Sequence, residues 1–261
     1  VPAQPEPFRF ARVSKIAALT GALAIGLAAC STEVSANQAD GANETAPAAS
    51  ATPSPSDSPS AEVAVGELPW GPDSFGAVPI GTDGAAYGDV ATGDVPVIDV
   101  YADFACHYCM LFEAGVAPAL EELASSGDAV VVYHPVSILD RNFPSKYSTR
   151  SAAAALAVAN TAPEVYLEFT ASLMASQPDL PEDGWTEDQL ADLALEVGAP
   201  QETADAILSD EYEEAITDAT VAAFDGGMSG TPSVAVNGEL LNYEEINYIE
   251  PGVLVEYLDT L

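Results

Sequence analysis

The chain has 261 residues, 48% of them hydrophobic, with 41 Asp and Glu against six Lys and Arg and a formal net charge of −35. A charge of this sign and size repels nucleic-acid phosphates and anionic lipid surfaces, which excludes both as electrostatic partners. The acids are spread along the sequence and read first as a solvated surface, with salt adaptation or a docking determinant as further uses.

Residues 1–15 carry Arg9, Arg12 and Lys15 against one acid, Glu6, and an apolar run from Ile16 ends at Leu27, Ala28, Ala29 and Cys30. This reads as a secretory signal, because the run is shorter than the ~20 residues that a membrane span needs. The Leu-Ala-Ala-Cys ending resembles the bacterial lipobox. That resemblance implies a signal peptide over 1–29, a lipidated Cys30 as the mature N-terminus, and attachment to the extracytoplasmic face of the bacterial cell membrane. An ordinary signal peptide with an incidental cysteine is the plainer alternative. Removing 1–29 leaves 40 acids against Arg141, Lys146 and Arg150, about −37, and two thiols besides Cys30, in a compartment where disulfides persist.

From Cys30 to Gly66 the composition shifts to Ser, Ala, Thr, Pro, Glu and Asp, with no apolar periodicity. Such a stretch buries too little surface to offset its ordering entropy, and as a flexible coil it has an end-to-end distance of roughly 30 to 35 Å. It reads as a tether, with O-glycosylation as another use of its Ser, Thr and Pro. Residues 67–261 then suit one domain with a sizeable core.

Within that domain, 76–80 and 85–87 read as a short strand pair and 96–104 as a central strand. A helix is expected over 107–126, kinked at Gly115 and Pro118. The run 129–135, Ala-Val-Val-Val-Tyr-His-Pro, reads as a buried strand. A helical block of about 80 residues follows, near 146–226. Its helices are expected over 148–160, 163–176, 186–197, 201–208 and 210–225, with a capping box at Thr186 and Gln189 and a stop at Gly198. Strands at 233–236 and 239–241 flank an Asn237-Gly238 hairpin signal, and a helix over 252–261 closes the chain.

At the junction of the central strand and the first helix stands Cys106-His107-Tyr108-Cys109. Two thiols spaced by two residues at a helix start place the first on the exposed terminal turn and let the second approach it, which suits a reversible disulfide. The sulfur of Cys106 faces the unsatisfied amides and positive end of the helix, which favour thiolate. His107 is a candidate for further tuning, or a solvent-facing loop residue. As a purely structural bridge the pair is weak, since closing so short a loop is worth only about 2 kcal/mol. A zinc site lacks ligands, with only His107 and His134 as typical nitrogen donors. His134, in a strand pattern, reads as a core or rim residue. Arg141, Lys146 and Arg150 read as partners for nearby acids, with a place in a substrate groove as the alternative.

The segment Asp103-Phe104-Ala105-Cys106-His107-Tyr108-Cys109 and the segment from Ser229 to Gly238, with Thr231-Pro232 inside it, together resemble the DsbA-like branch of the thioredoxin superfamily. The resemblance covers about 75–261. It implies an α/β thioredoxin-like fold, a central mixed sheet flanked by helices, with a helical insertion. It implies Cys106 as nucleophile, Cys109 as resolving thiol, His107 and Tyr108 as the tuning dipeptide, and a cis Pro232 that with Thr231 forms a shelf for an extended substrate segment. No cofactor or metal is implied. The partners implied are exported cysteine-containing proteins and a membrane redox protein that recycles the pair, with no nucleic acid.

Oxidation of exported proteins is the leading expectation. A reductase or isomerase for a client such as an apocytochrome is the alternative within the class, and a non-catalytic binding module on the same fold lies outside it. One departure is Val100, which stands where many relatives have an acid six residues before the first cysteine. Asp99 and Asp103 are its nearest acids, and strand alternation places both on the opposite face from Val100.

Overall fold

A computed structural model of the chain describes residues 76–261. The expectations for the signal, Cys30 and the tether concern residues outside this range.

Five strands form one mixed sheet: β1 (Val78–Ile80), β2 (Val97–Ala102), β3 (Val130–Pro135), β4 (Ser233–Val236) and β5 (Glu239–Leu240), in the order β1-β3-β2-β4-β5. β2 and β3 are parallel, and the other pairs are antiparallel. Alternation along the central strands sends Ile98, Val100, Val131 and Tyr133 into the main core, while Val130 and Val132 cover the other face with Ala77 and Ala91. A sheet buried on both sides explains the unbroken apolar run in β3.

The crossover from β2 to β3 is two helices, α1 (His107–Gly115) and α2 (Ala117–Ser126). The expected kink is a full break at Val116, whose φ of −121° leaves the helical region. Pro118 then falls in the first turn of α2, where its missing N–H costs nothing.

The helical block contains α3 (Tyr147–Thr161), α4 (Tyr166–Ala175), α5 (Glu187–Glu196), α6 (Gln201–Ile207) and α7 (Glu213–Asp225). Every residue of α3 from Tyr147 to Ala159 is buried, as its small Ala and Ser side chains let α4, α5, α6 and α7 approach from several sides. The Thr186–Gln189 capping box starts α5. The hairpin turn has Asn237 at φ 52° and Gly238 at φ 80°, the left-handed pair that this turn type requires. α8 (Val253–Leu258) ends the fold.

One expected strand is absent. Residues 85–87 make a single bridge, Ile80 to Ala86, and β1 pairs instead with β3. Among the described residues no helix is long and apolar enough to cross a membrane.

Candidate active site

β2 ends at Ala102, and a tight turn, with Cys106 N–H donating to Asp103 O at 2.9 Å, delivers the chain into α1. Cys106 is the residue that precedes the first helical turn, at φ −86° and ψ 119°. In that position a Ser or Asp oxygen ordinarily accepts from the second and third helical amides. Here those amides belong to Tyr108 and Cys109, and both lower the pKa of the Cys106 thiol, the sulfur standing in place of an oxygen cap.

The Cys106 thiol is pushed down to about 5. The Cys109 S–H facing it is the largest cause, burial opposes it, and the Thr231 hydroxyl and the two amides assist. Cys109 moves the other way, well above an ordinary thiol, because it is buried and because it serves Cys106 as donor. Both cysteines are free thiols. Cys106 is only 7% exposed, against the open position expected for it, because the loop before β4 covers it.

That loop arrives by register. β4 runs antiparallel to β2 with Tyr101 opposite Ser233, so Thr231 and Pro232 lie beside the Cys106 end of β2. The Thr231–Pro232 peptide is cis. Cys106 Sγ lies 3.2 Å from Thr231 O, a contact that would favour the thiol. The Thr231 hydroxyl is buried with no hydrogen-bond partner, and as a donor near the pair it favours thiolate at both sulfurs. Tyr248, from the C-terminal segment, donates its hydroxyl to Pro232 O at 3.1 Å and holds the loop from behind.

His107 and Tyr108 are exposed, Tyr108 by 58%, with their rings edge to face at 5.9 Å. Tyr108 acts on Cys106 through its backbone amide, and the His107 ring is not among the groups that lower Cys106.

Asp103 corrects the strand-alternation expectation. Because β2 stops one residue earlier, Asp103 turns inward and is fully buried. Its Oδ1 accepts from Ala105 N and Ser148 Oγ, and its Oδ2 accepts from Ile138 N and Leu139 N, at 2.7 to 3.0 Å. Burial still pushes its carboxyl up to about 6, and its backbone N–H favours thiolate at Cys109. Glu113, one turn beyond Cys109 on α1, is a second carboxyl raised to about 7, by burial and by nearby Glu121.

The remaining candidates lie elsewhere. His134 Nε2 meets Asp99 Oδ1 at 2.8 Å and stacks on Tyr101 at 4.4 Å, on the sheet face opposite Val100. Arg150 is buried and donates to Ser145 O, Trp185 O and Ser145 Oγ, with Glu187 at 3.4 Å. Lys146 lines a cleft of about 380 Å³ with Asp140, Glu213 and Glu214. Arg150 is thus a structural partner of an acid and of two carbonyls.

A mixed sheet with a low-pKa thiol at the strand-to-helix junction, a buried partner thiol and a cis-proline loop over both defines a thioredoxin-type fold carrying a dithiol pair placed for thiol-disulfide exchange. The chain belongs to the family described as DSBA-like thioredoxin domain, which matches residues 97–246.

DsbA from Mycobacterium tuberculosis, in its oxidised form, is 28% identical with a TM-score of 0.55, over 70% of this chain and 98% of that one. MdbA, a thiol-disulfide oxidoreductase from Corynebacterium diphtheriae, is 26% identical with a TM-score of 0.55, over 66% and 92%. BdbD from Bacillus subtilis, at 18% identity and a TM-score of 0.56 over 71% and 92%, shares the fold. Among curated proteins, the serine/threonine-protein kinase PknE of M. tuberculosis is 31% identical over 163 residues, 58% of this chain. The chain spans 28% of the length of that kinase.

Proposed function

We propose that the chain is an extracytoplasmic oxidant that forms disulfide bonds in exported proteins. The observation that carries this reading is the asymmetry of the pair: Cys106 is lowered to about 5 while Cys109 is raised. A substrate thiolate attacks Cys106 Sγ, the Cys106–Cys109 bond breaks, and the departing Cys109 sulfur takes up a proton. A second substrate thiolate then attacks the substrate sulfur of the mixed disulfide, and Cys106 leaves as thiolate. The substrate has lost two electrons and the pair has gained them. A stable Cys106 thiolate favours this last departure and stabilises the reduced form, the property of an oxidising pair.

The Thr231–Pro232 backbone serves as the shelf for the substrate segment. The apolar run ending at Cys30 supports export and a lipid anchor, and a membrane redox protein reoxidises the pair. The full chain should oxidise a reduced unfolded protein. Cys106→Ser should abolish this, and Cys109→Ser should accumulate mixed disulfides through Cys106. Reduction of client disulfides without oxidation of dithiols would favour the reductase alternative, and neither turnover nor trapped species would remove the enzyme reading.

A further inference from the structure

We propose that Gln177, just beyond α4 in the helical block, is a positioning residue that holds Cys106 over the amides of α1 and so sets the redox equilibrium of the pair. Its Nε2 donates to Phe104 O at 2.8 Å and to Cys106 O at 3.1 Å, and lies 3.4 Å from Met174 Sδ. One amide group thus grips the backbone at Cys106 and two residues before it.

The N-terminus of α1 needs such a grip. No side chain caps it and its first turn holds no acid. A conventional capping oxygen would compete with the sulfur for the Tyr108 and Cys109 amides. Gln177 instead anchors the turn through carbonyls and leaves both amides to the sulfur. Cys106 O already accepts from Met110 N at 3.1 Å, the first backbone bond of the helix, so Gln177 fixes the position at which α1 begins. Packing of α4 on α1 carries the anchor.

The sign follows from the redox cycle. In the disulfide the S–S bond itself fixes the Cys106 sulfur. In the dithiol form the sulfur is a thiolate that depends on being held against the amides. Loss of Gln177 therefore penalises the reduced form more than the oxidised one. The thiolate becomes a stronger base, and the equilibrium of the disulfide with two glutathione thiols, giving the dithiol and glutathione disulfide, shifts toward the enzyme disulfide. A hydrogen bond of ordinary net worth makes each effect about three- to five-fold.

The inference rests on the Cys106–Cys109 redox reading, and the test separates the two. Gln177→Met removes the donors while keeping length and the contact with Met174. Gln177→Glu keeps the shape but turns acceptors toward the carbonyls. The full chain and both variants are titrated at 240 nm for the Cys106 thiolate and equilibrated in glutathione buffers, with melting temperatures of the oxidised and reduced forms. The expected result is a three- to five-fold weaker thiolate in Gln177→Met, a larger loss in Gln177→Glu, and equilibrium constants displaced in parallel. Unchanged thiolate titration and equilibrium constants overturn the role of Gln177. Equal loss of melting temperature in both redox forms, with the constant unmoved, also overturns it by reducing Gln177 to a packing residue. A wild-type chain with no glutathione-dependent equilibrium removes the redox reading itself.

Discussion

The Thr231 hydroxyl gives a quantitative handle on the Cys106 thiolate. It is buried with no hydrogen-bond partner, and it favours thiolate at both sulfurs. Thr231→Val removes the hydroxyl with little change of volume. A hydrogen bond to a charged group is worth about 1.5 to 3 kcal/mol. Because the hydroxyl acts on both sulfurs and makes a full hydrogen bond to neither, no more than the lower end applies to Cys106, and 1.36 kcal/mol corresponds to about one pKa unit. The Cys106 pKa should therefore rise from about 5 to roughly 6. Both values lie below pH 7, so the full difference appears there as lost stabilisation of the reduced form, and the potential should fall by about 30 mV. Thiolate absorbance at 240 nm against pH, with Cys106→Ser as the blank, reads the shift. A midpoint within about 0.3 units of wild type would show that the helix amides and Cys109 hold the thiolate without Thr231, and would refute the reasoning.

Asp103→Asn should destabilise the chain by about 2 to 4 kcal/mol, because an amide NH2 would then confront two of the four donors that Asp103 now satisfies. Thermal unfolding should show a loss of roughly 5 to 15 °C, and an unchanged melting temperature would mean the donors find other partners. Glu113 has a folded pKa raised above its unfolded value, so the stability tied to its neutral form is lost as pH rises from about 4.5 through about 7. Glu113→Gln should accordingly gain on the order of 1 to 2 kcal/mol at pH 8 and close to nothing at pH 4, read by denaturant unfolding at both. A gain independent of pH would point to packing instead. With a net charge of −35, the melting temperature should rise with added NaCl as self-repulsion is screened, and a flat or falling response would count against a surface dominated by repulsion.

Much of this arrangement is legible along the chain. The strand-to-helix switch at Cys106, the β-branched run of β3, the Thr186–Gln189 box and the Asn237-Gly238 turn are local signals, and each stands where its chemistry places it. What local pattern cannot supply is pairing and termination. Residues 85–87 resemble a strand in composition, yet β1 finds its partner in β3, some fifty residues away. Alternation gives Asp103 a face only while the strand lasts, and it lapses once β2 ends at Ala102. The covering of Cys106 by the Thr231 loop depends on the β2–β4 register. Gln177 carries no motif and reaches Cys106 across 71 residues, through the packing of the helical block on α1.

The reduction potential of the Cys106–Cys109 pair tests the proposed role most directly, because it measures the free energy that the low-pKa thiolate confers on the reduced form. Glutathione redox titration of the full chain should give a value near −120 mV, in the range of strongly oxidising pairs. A value near −270 mV would contradict an oxidant and assign the pair to a reductant.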